Sequence, residues 1–171
     1  DLEKLASNMQ KVGAVMMGIG IAAIKMRGDV DQEMAKVKTI ADTTTVSFEH
    51  LRQGVMKTSN DFNLPATQMA EGLYNVISSN VETSESLHVL RDSAILAKTG
   101  FTDMANATDI LTTIVNSYGY ETERTTKLVD QLIITQKLGK ATVDELGSSF
   151  GKVAGLAATA EVPVEELLAA I

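Results

Sequence analysis

Residues 2–30 read LEKLASNMQ KVGAVMMGIG IAAIKMRGDV, and apolar side chains recur through them at alternating steps of three and four: Leu2, Leu5, Met9, Val12, Met16, Ile19, Ala23, Met26 and Val30. An α-helix brings a side chain back to nearly the same face every seven residues, so this spacing draws one apolar stripe along a helix, a heptad seam that another helix has to cover. The stripe continues through Met34, Val37 and Ala41, which predicts one helix of about 40 residues and roughly 60 Å. Few globular helices are that long. Met17, Ile21, Ala22 and Ile24 lie off the seam and would stay wet in a two-helix pairing. Gly13, Gly18 and Gly20 each cost about 1 kcal/mol of helix propensity relative to Ala, which close approach of neighbouring backbones would offset. The nine seam residues are therefore the candidate oligomer interface, with three or more helices around it. Folding of this arm back onto its own chain is the alternative.

At 171 residues the chain suits one domain plus an extension. It opens on Asp1 and closes at Ile171 inside an apolar helical pattern, so it reads as part of a longer polypeptide. The absence of cysteine excludes disulfides, thiolate metal sites and cysteine nucleophiles, and leaves the redox compartment undetermined. A net charge of -7 without a basic cluster lacks the electrostatic footprint of a sequence-reading nucleic-acid binder. Sparse aromatics and no Trp weaken base-stacking and sugar-binding readings. The apolar run from Val12 to Ile24 is shorter than the ~20 residues needed to cross a bilayer. Lys11 on one side and Lys25 with Arg27 on the other resemble membrane-edge anchors, so an interfacial contact stays open beside the buried-helix reading.

Asp42-Thr43-Thr44-Thr45 is β-branched and rich in capping residues, and breaks the long helix. This boundary divides a helical arm, residues 1–41, from a compact all-helical core domain, residues 46–171. Within that domain Ser47 caps a helix through about Thr58, and Pro65 sits at the first turn of a helix burying Met69, Leu73, Val76 and Ile77. Thr83 opens a helix with Leu87, Leu90, Ala94 and Ala97 on one face, stopped at Lys98-Thr99-Gly100. Thr102 and Asp103 start the next, which carries Ile110, Leu111, Ile114 and Val115 to Tyr118-Gly119. Another runs from Thr122 to Lys137-Leu138-Gly139. Thr142-Val143-Asp144-Glu145 has capping-box form, and Pro163 to Ile171 is a last helix start. No segment alternates as a strand. The fold class is all-α, a long heptad helix followed by about seven short antiparallel helices packed as hairpins. Leu73, Val76, Ile77, Val81-Glu82-Thr83 and Gly100 recur as Leu111, Ile114, Val115, Tyr120-Glu121-Thr122 and Gly139, a spacing of about 39 residues within the range of helical-hairpin repeats. A degraded third copy begins at Thr142. Recurrent caps and glycines are the competing explanation of this likeness.

The motifs that carry chemistry are weak. Gly18-Ile19-Gly20-Ile21-Ala22-Ala23 fits the GxGxxA form, but the heptad runs straight through it and no strand precedes it. Asp29-Val30-Asp31-Gln32-Glu33 resembles the start of a calcium loop, yet Met34 stands where the loop needs glycine. His50 and His88 have no second ligand at metal spacing. Glu85-Ser86 is the pair that begins a lytic-transglycosylase motif, in which a Glu of raised pKa protonates a glycosidic oxygen. The glycine- and glutamine-containing segments that should follow are absent. The expectation is no catalytic, cofactor or metal site.

The order of several soft motifs is more specific than any one of them. The small-residue arm Val12-Gly13-Ala14 through Ala23 is followed by Glu33-Met34-Ala35-Lys36-Val37, then Pro65-Ala66-Thr67-Gln68-Met69-Ala70-Glu71-Gly72-Leu73. Ala107-Thr108-Asp109-Ile110-Leu111 precedes Asn116-Ser117-Tyr118-Gly119, Leu146-Gly147-Ser148-Ser149-Phe150-Gly151-Lys152-Val153-Ala154 and Val164-Glu165-Glu166-Leu167-Leu168-Ala169-Ala170-Ile171. Over nearly its whole length the chain resembles the core region of phage tail tape measure proteins, departing from the pattern at Gln32, which stands at an aromatic position. The resemblance implies a structural virion protein of the tail lumen, made in the host bacterial cytoplasm, whose full length sets tail length and which leaves ahead of the DNA. It also implies a homo-oligomer, with a trimer favoured, and tail tube, tail tip and assembly chaperone proteins as partners, with transient host membrane contact left open. Prophage copies and phage-tail-like particles would look the same. Two other classes compete: a membrane-associated helical scaffold or signalling module, and a cell-wall-degrading transglycosylase resting on Glu85.

Overall fold

A computed structural model of the chain describes residues 28–170, which form eight α-helices and, among the described residues, no strand. Helix α1 occupies residues 28–40 of the described part. It is followed by α2 (Phe48–Phe62), α3 (Ala66–Ser78), α4 (Ser86–Thr99), α5 (Met104–Tyr118), α6 (Arg124–Leu138), α7 (Val143–Thr159) and α8 (Val164–Ala170).

Most boundaries fall where capping chemistry puts them. Ser47 and Asp103 accept the third amide of α2 and α5, and Thr142 with Glu145 forms both halves of a capping box on α7. Those two bonds from Thr142, amide first and hydroxyl second, hold the Glu145 carboxyl below its usual pKa. Asn63 and Gly119 close α2 and α5 in the left-handed conformation. After α1 the chain turns on Asp42, whose Oδ1 accepts both the amide (2.9 Å) and the hydroxyl (2.6 Å) of Thr44. The expected break is thus an Asx turn.

Three boundaries differ from expectation, the first being that α2 runs on to Phe62, past the end expected at about Thr58. α4 starts at Ser86 and α6 at Arg124, each past a turn that opens at the threonine read as its cap. The hydroxyls are engaged elsewhere. Thr83 Oγ1 accepts the Asp42 amide at 2.9 Å, and Thr122 Oγ1 donates to Glu85 at 3.4 Å.

The helices form two rows. α3, α5 and α7 touch in succession along one, and α2, α4, α6 and α8 along the other. α1 belongs at the head of the first row. Asp31 on α1 accepts from Arg52 of α2 at 2.8 Å, and the Lys36 ammonium, held above its ordinary pKa first by its hydrogen bond to Glu33, also feels Glu71 and Tyr74 of α3. Within a row, equivalent ends meet. The Asn116 amide at the end of α5 donates to Ser79 O just past the end of α3 (2.8 Å), and Lys98 at the end of α4 donates to Phe62 O at the end of α2 (2.6 Å). Arg124 and Glu165, at the starts of α6 and α8, pair at 3.1 Å. Neighbours along each row therefore run parallel.

This is a stack of four helix–turn–helix units. Their second helices begin at Phe48, Ser86, Arg124 and Val164, steps of 38, 38 and 40 residues. The faint sequence repeat of two copies and a degraded third coincides with this structural period, and α1 with α2 is an additional first copy that sequence comparison of the units did not reveal. One continuous hydrophobic core runs from Val30 to Leu168 through Leu51, Leu73, Leu90, Leu111, Leu132 and Leu146, and each fully buried Leu contributes about 1.5–3 kcal/mol. Val30, Met34 and Val37, three and four residues apart on α1, lie in that same core. Residues on both sides of the boundary drawn at 41 thus share one apolar interior.

Glycines let adjacent units approach closely. A Cβ at Gly72 of α3 would meet Met104 of α5 at 2.9 Å, and one at Gly147 of α7 would meet the Ile110 side chain of α5 at 2.3 Å. Gly151, one turn further along α7, has nothing within 4 Å. Gly147→Val should therefore destabilise the domain by about 1–3 kcal/mol through overpacking. Gly151→Ala should stabilise it by about 0.5–1 kcal/mol through helix propensity. Urea unfolding of the two variants checks both signs; equal effects would refute the close packing of α5 on α7.

Candidate assembly surfaces

Of the nine seam residues expected to form an oligomer interface, Leu2, Leu5, Met9, Val12, Met16, Ile19, Ala23 and Met26 lie outside the described residues. Val30 is described, and it is 4 % exposed in the chain's own core. At that position the stripe is covered in cis, because α1 has already joined the stack there. The GxGxxA stretch, Gly18 to Ala23, and the apolar run from Val12 to Ile24 also lie outside the described residues. No described helix is long and apolar enough to cross a membrane.

The remaining motifs resolve into ordinary helical chemistry. Asp29 to Glu33 lies on α1, where Asp31 pairs with Arg52 and Glu33 with Lys36, so these carboxylates are helical surface charges and not a loop. Ser86 is buried and donates its hydroxyl to Thr83 O at 2.7 Å. Glu85 lies in an open depression lined also by Glu82, Glu121 and Glu123, at the turns that close successive units. His50 is exposed, its amide bonded to Ser47. Among the described residues no group of three or more His, Cys, Asp or Glu side chains could hold a metal ion.

The most unusual polar cluster escaped the sequence reading. Asp92 on α4 is fully buried, and its Oδ2 accepts the hydroxyls of Thr125 (2.6 Å) and Thr126 (2.8 Å) at the start of α6. His88 Nε2, one turn earlier on α4, is 3.5 Å from the same oxygen. The signal available was the four-residue spacing of His88 and Asp92, which puts both on one helix face. A buried carboxylate is tolerated only with donors around it, so this cluster locks the register of α6 on α4. A comparable hub joins α6 to α8: Glu165 Oε1 accepts from Arg124, Lys127 and Gln131, and its own backbone amide followed by Gln131 keeps its pKa low. Beside it Arg124 stacks 4.8 Å over Tyr120, itself stacked on Tyr118. Burial raises the Tyr118 hydroxyl pKa.

Large apolar side chains stand exposed at one edge and one end of the stack. Phe101, in the turn between α4 and α5, is 89 % exposed and Leu138, the last residue of α6, 85 %. Leu156 on α7 and Ile134 on α6 are also exposed. A groove of about 750 Å³ opens between α6, α7 and α8. Such groups suit contacts with other protein surfaces, and no catalytic constellation accompanies them among the described residues.

Residues 52–171 match the family model described as phage-related minor tail protein. The chain is 28 % identical over 170 residues to the probable tape measure protein of Clostridium phage phiCD119, an alignment covering 94 % of this chain and 18 % of that protein. It is 20 % identical over 156 residues to the tape measure protein of Pneumococcus phage Dp-1, covering 91 % of this chain and 14 % of that one. The chain thus spans less than a fifth of the curated relatives it matches. No solved structure matches it.

Thr125→Val leaves the buried Asp92 carboxylate short of a donor and should cost about 1–3 kcal/mol. The loss in the double variant Asp92→Ala with Thr125→Val should be smaller than the sum of the two single losses. Additive losses in a denaturation cycle would show that the cluster does not couple α4 to α6.

Proposed function

The chain belongs to the phage-related minor tail protein family, and we propose that it is the helical core segment of a tape measure protein. The full-length protein, in this reading, templates tail assembly, sets tail length and is released as DNA is ejected. The observation that carries it is the near-complete coverage of the chain by two proteins named as tape measure proteins. A stack that grows by equal increments is compatible with that architecture. The chain is a structural component of the phage tail and so of the virion. We place it in the tail lumen after synthesis in the host cytoplasm, and prophage-encoded or phage-tail-like particles fit equally.

The segment acts without catalysis. The Ser86 hydroxyl is committed to Thr83 O, and Glu85 sits among other carboxylates at a turn edge. Neither the transglycosylase reading nor the membrane-scaffold reading gains support from the family match. The proposed partners are further copies of the chain, with a trimer favoured, together with tail tube, tail tip and assembly chaperone proteins. Nucleic acid is disfavoured as a specific ligand by the net charge of -7. The oligomer contact runs along Leu2, Leu5, Met9, Val12, Met16, Ile19, Ala23 and Met26, with Val30 at the point where the seam enters the core.

Two experiments test this. Removing residues 86–123, one complete step of the stack, from the phage gene should abolish assembled tails in electron micrographs. Tails shortened by about 57 Å, the length of 38 helical residues, would make the segment part of the measuring rod, and normal infectious tails would refute the assignment. Separately, light scattering should give an oligomer for the full 171-residue chain and a folded monomer for a version starting at Gly28. That start keeps Val30, Met34 and Val37 in the core, whereas a start at Thr43 would remove them. A monomer in both cases would eliminate the seam as an interface.

A further inference from the structure

Two depressions follow one another along the edge formed by the turns within units. The first, about 480 Å³, is lined by Ile40, Ile77 and Val81 beside Asp42 and Glu82. The second, about 460 Å³, is lined by Val81, Val115 and Tyr120 beside Glu85, Glu121 and Glu123. Asn80, Val81 and Glu82 line both, so the two form one groove crossing three successive units. Its floor is apolar and its walls are acidic, with no Lys or Arg among the lining residues. Arg124, next in sequence, is drawn to Glu165 at 3.1 Å. Lys98, Lys137 and Lys140 stand at the opposite edge, in or beside the turns between units. Both depressions lie between described units, so neither is open for want of a neighbour.

The chain itself carries a segment of matching chemistry. From Lys4 to Arg27 the arm has four cations, Lys4, Lys11, Lys25 and Arg27, and no Asp or Glu. On the helix that its heptad spacing predicts, Met17, Ile21 and Ile24 fall on the face opposite the seam, and Lys4, Lys11 and Lys25, at multiples of seven residues, border them on one side. These are the apolar side chains that pairing through the seam leaves wet. Lys11 and Lys25 are separated by about 21 Å along such a helix. The turns of Asp42 and Glu121 are two unit steps apart, about 16–20 Å at the usual distance between packed helix axes.

We propose that this face of the arm seats in the groove of a second copy of the chain, with Met17, Ile21 and Ile24 on the apolar floor and Lys11 and Lys25 against the carboxylates. Charge complementarity selects this edge over the opposite one. The course of α1 selects a second copy over the chain's own arm. Ile40, at the end of α1, lines the groove, so Gly28, where the arm joins, lies one helix length or about 20 Å away at the other edge. An arm that continues α1 leads away from its own groove. The two surfaces differ, so the contact is head-to-tail, and it closes into a ring where the rotation between copies permits. The inference rests on the self-association proposed above and gives it a second surface, leaving the seam free for packing of arm on arm.

The chain has no cysteine, so single thiols in the full 171-residue chain report the contact. Chains carrying Met17→Cys are mixed with chains carrying Ser84→Cys, at an exposed position in the groove, or Phe101→Cys, at a position 89 % exposed on the opposite edge, and treated with a short bismaleimide. The expected result is a 17–84 heterodimer in about 10-fold excess over the 17–101 product, as a raised local concentration gives. Lys11→Glu with Lys25→Glu in the Met17→Cys chain should remove that excess, and Glu82→Lys with Glu121→Lys in the Ser84→Cys chain should restore it. Equal yields at 84 and 101, or a charge reversal without effect, overturn the proposal. So does a crosslink within one chain of the double variant Met17→Cys with Ser84→Cys that persists on dilution, the mark of an arm folded onto its own groove. Light scattering of the unmodified chain separates the two readings: an oligomer without the 17–84 product keeps the seam and refutes the groove, and a monomer refutes both.

Discussion

Everything in this domain depends on the covering of one helical pair by the next. A pair of 13- to 17-residue helices cannot bury its apolar sides alone, and the structure solves this by parallel stacking at a step of 38 to 40 residues. The contact is close enough to require missing side chains. Met104 fills the place of a side chain at Gly72, and Ile110 does so at Gly147. Polar groups then fix the register that apolar packing leaves loose. Asp92 draws Thr125 and Thr126 to α4, Asp42 and Thr83 join across two turns, and Glu165 gathers three donors from α6. The same arrangement that stabilises each unit therefore defines an axis along which units add.

Local signals in the sequence were accurate where one helix end answers to one side chain. Ser47, Asp103 and the Thr142–Glu145 box each cap the helix they precede, and the 3.6-residue periodicity identified Met69, Leu73, Ile110, Leu111 and Ile114 as core. Thr83 and Thr122 misled because their hydroxyls bond to the preceding unit, forty-one and thirty-seven residues away, and propensity carries no information on such partners. Asp92 was hidden for the same reason. A carboxylate on a helix reads as surface until the threonines that receive it are known to lie opposite. The first copy of the repeat was obscured by its helix α1, because the apolar spacing of Val30, Met34 and Val37 continues that of residues 2–26 in the sequence.

The functional assignment rests on a different kind of information. No site chemistry points to it, since the polar clusters hold helices together and the exposed apolar groups lie at edges and at one end. Among the described residues, two glycines of the motifs that pointed to the tape measure family, Gly72 and Gly147, lie where units touch. Gly72 and Gly147 are dictated by packing and the turn at Tyr118-Gly119 by backbone geometry.

The parallel register has a mechanical meaning. Among the described residues, hydrogen bonds between units link side chains or backbone groups at most 42 positions apart, so none of them ties α1 to α8. A chain held only by nearest-neighbour contacts does not resist tension as a block. In a stack of this kind stability is approximately a sum of the stabilities of the units and of the contacts between neighbours.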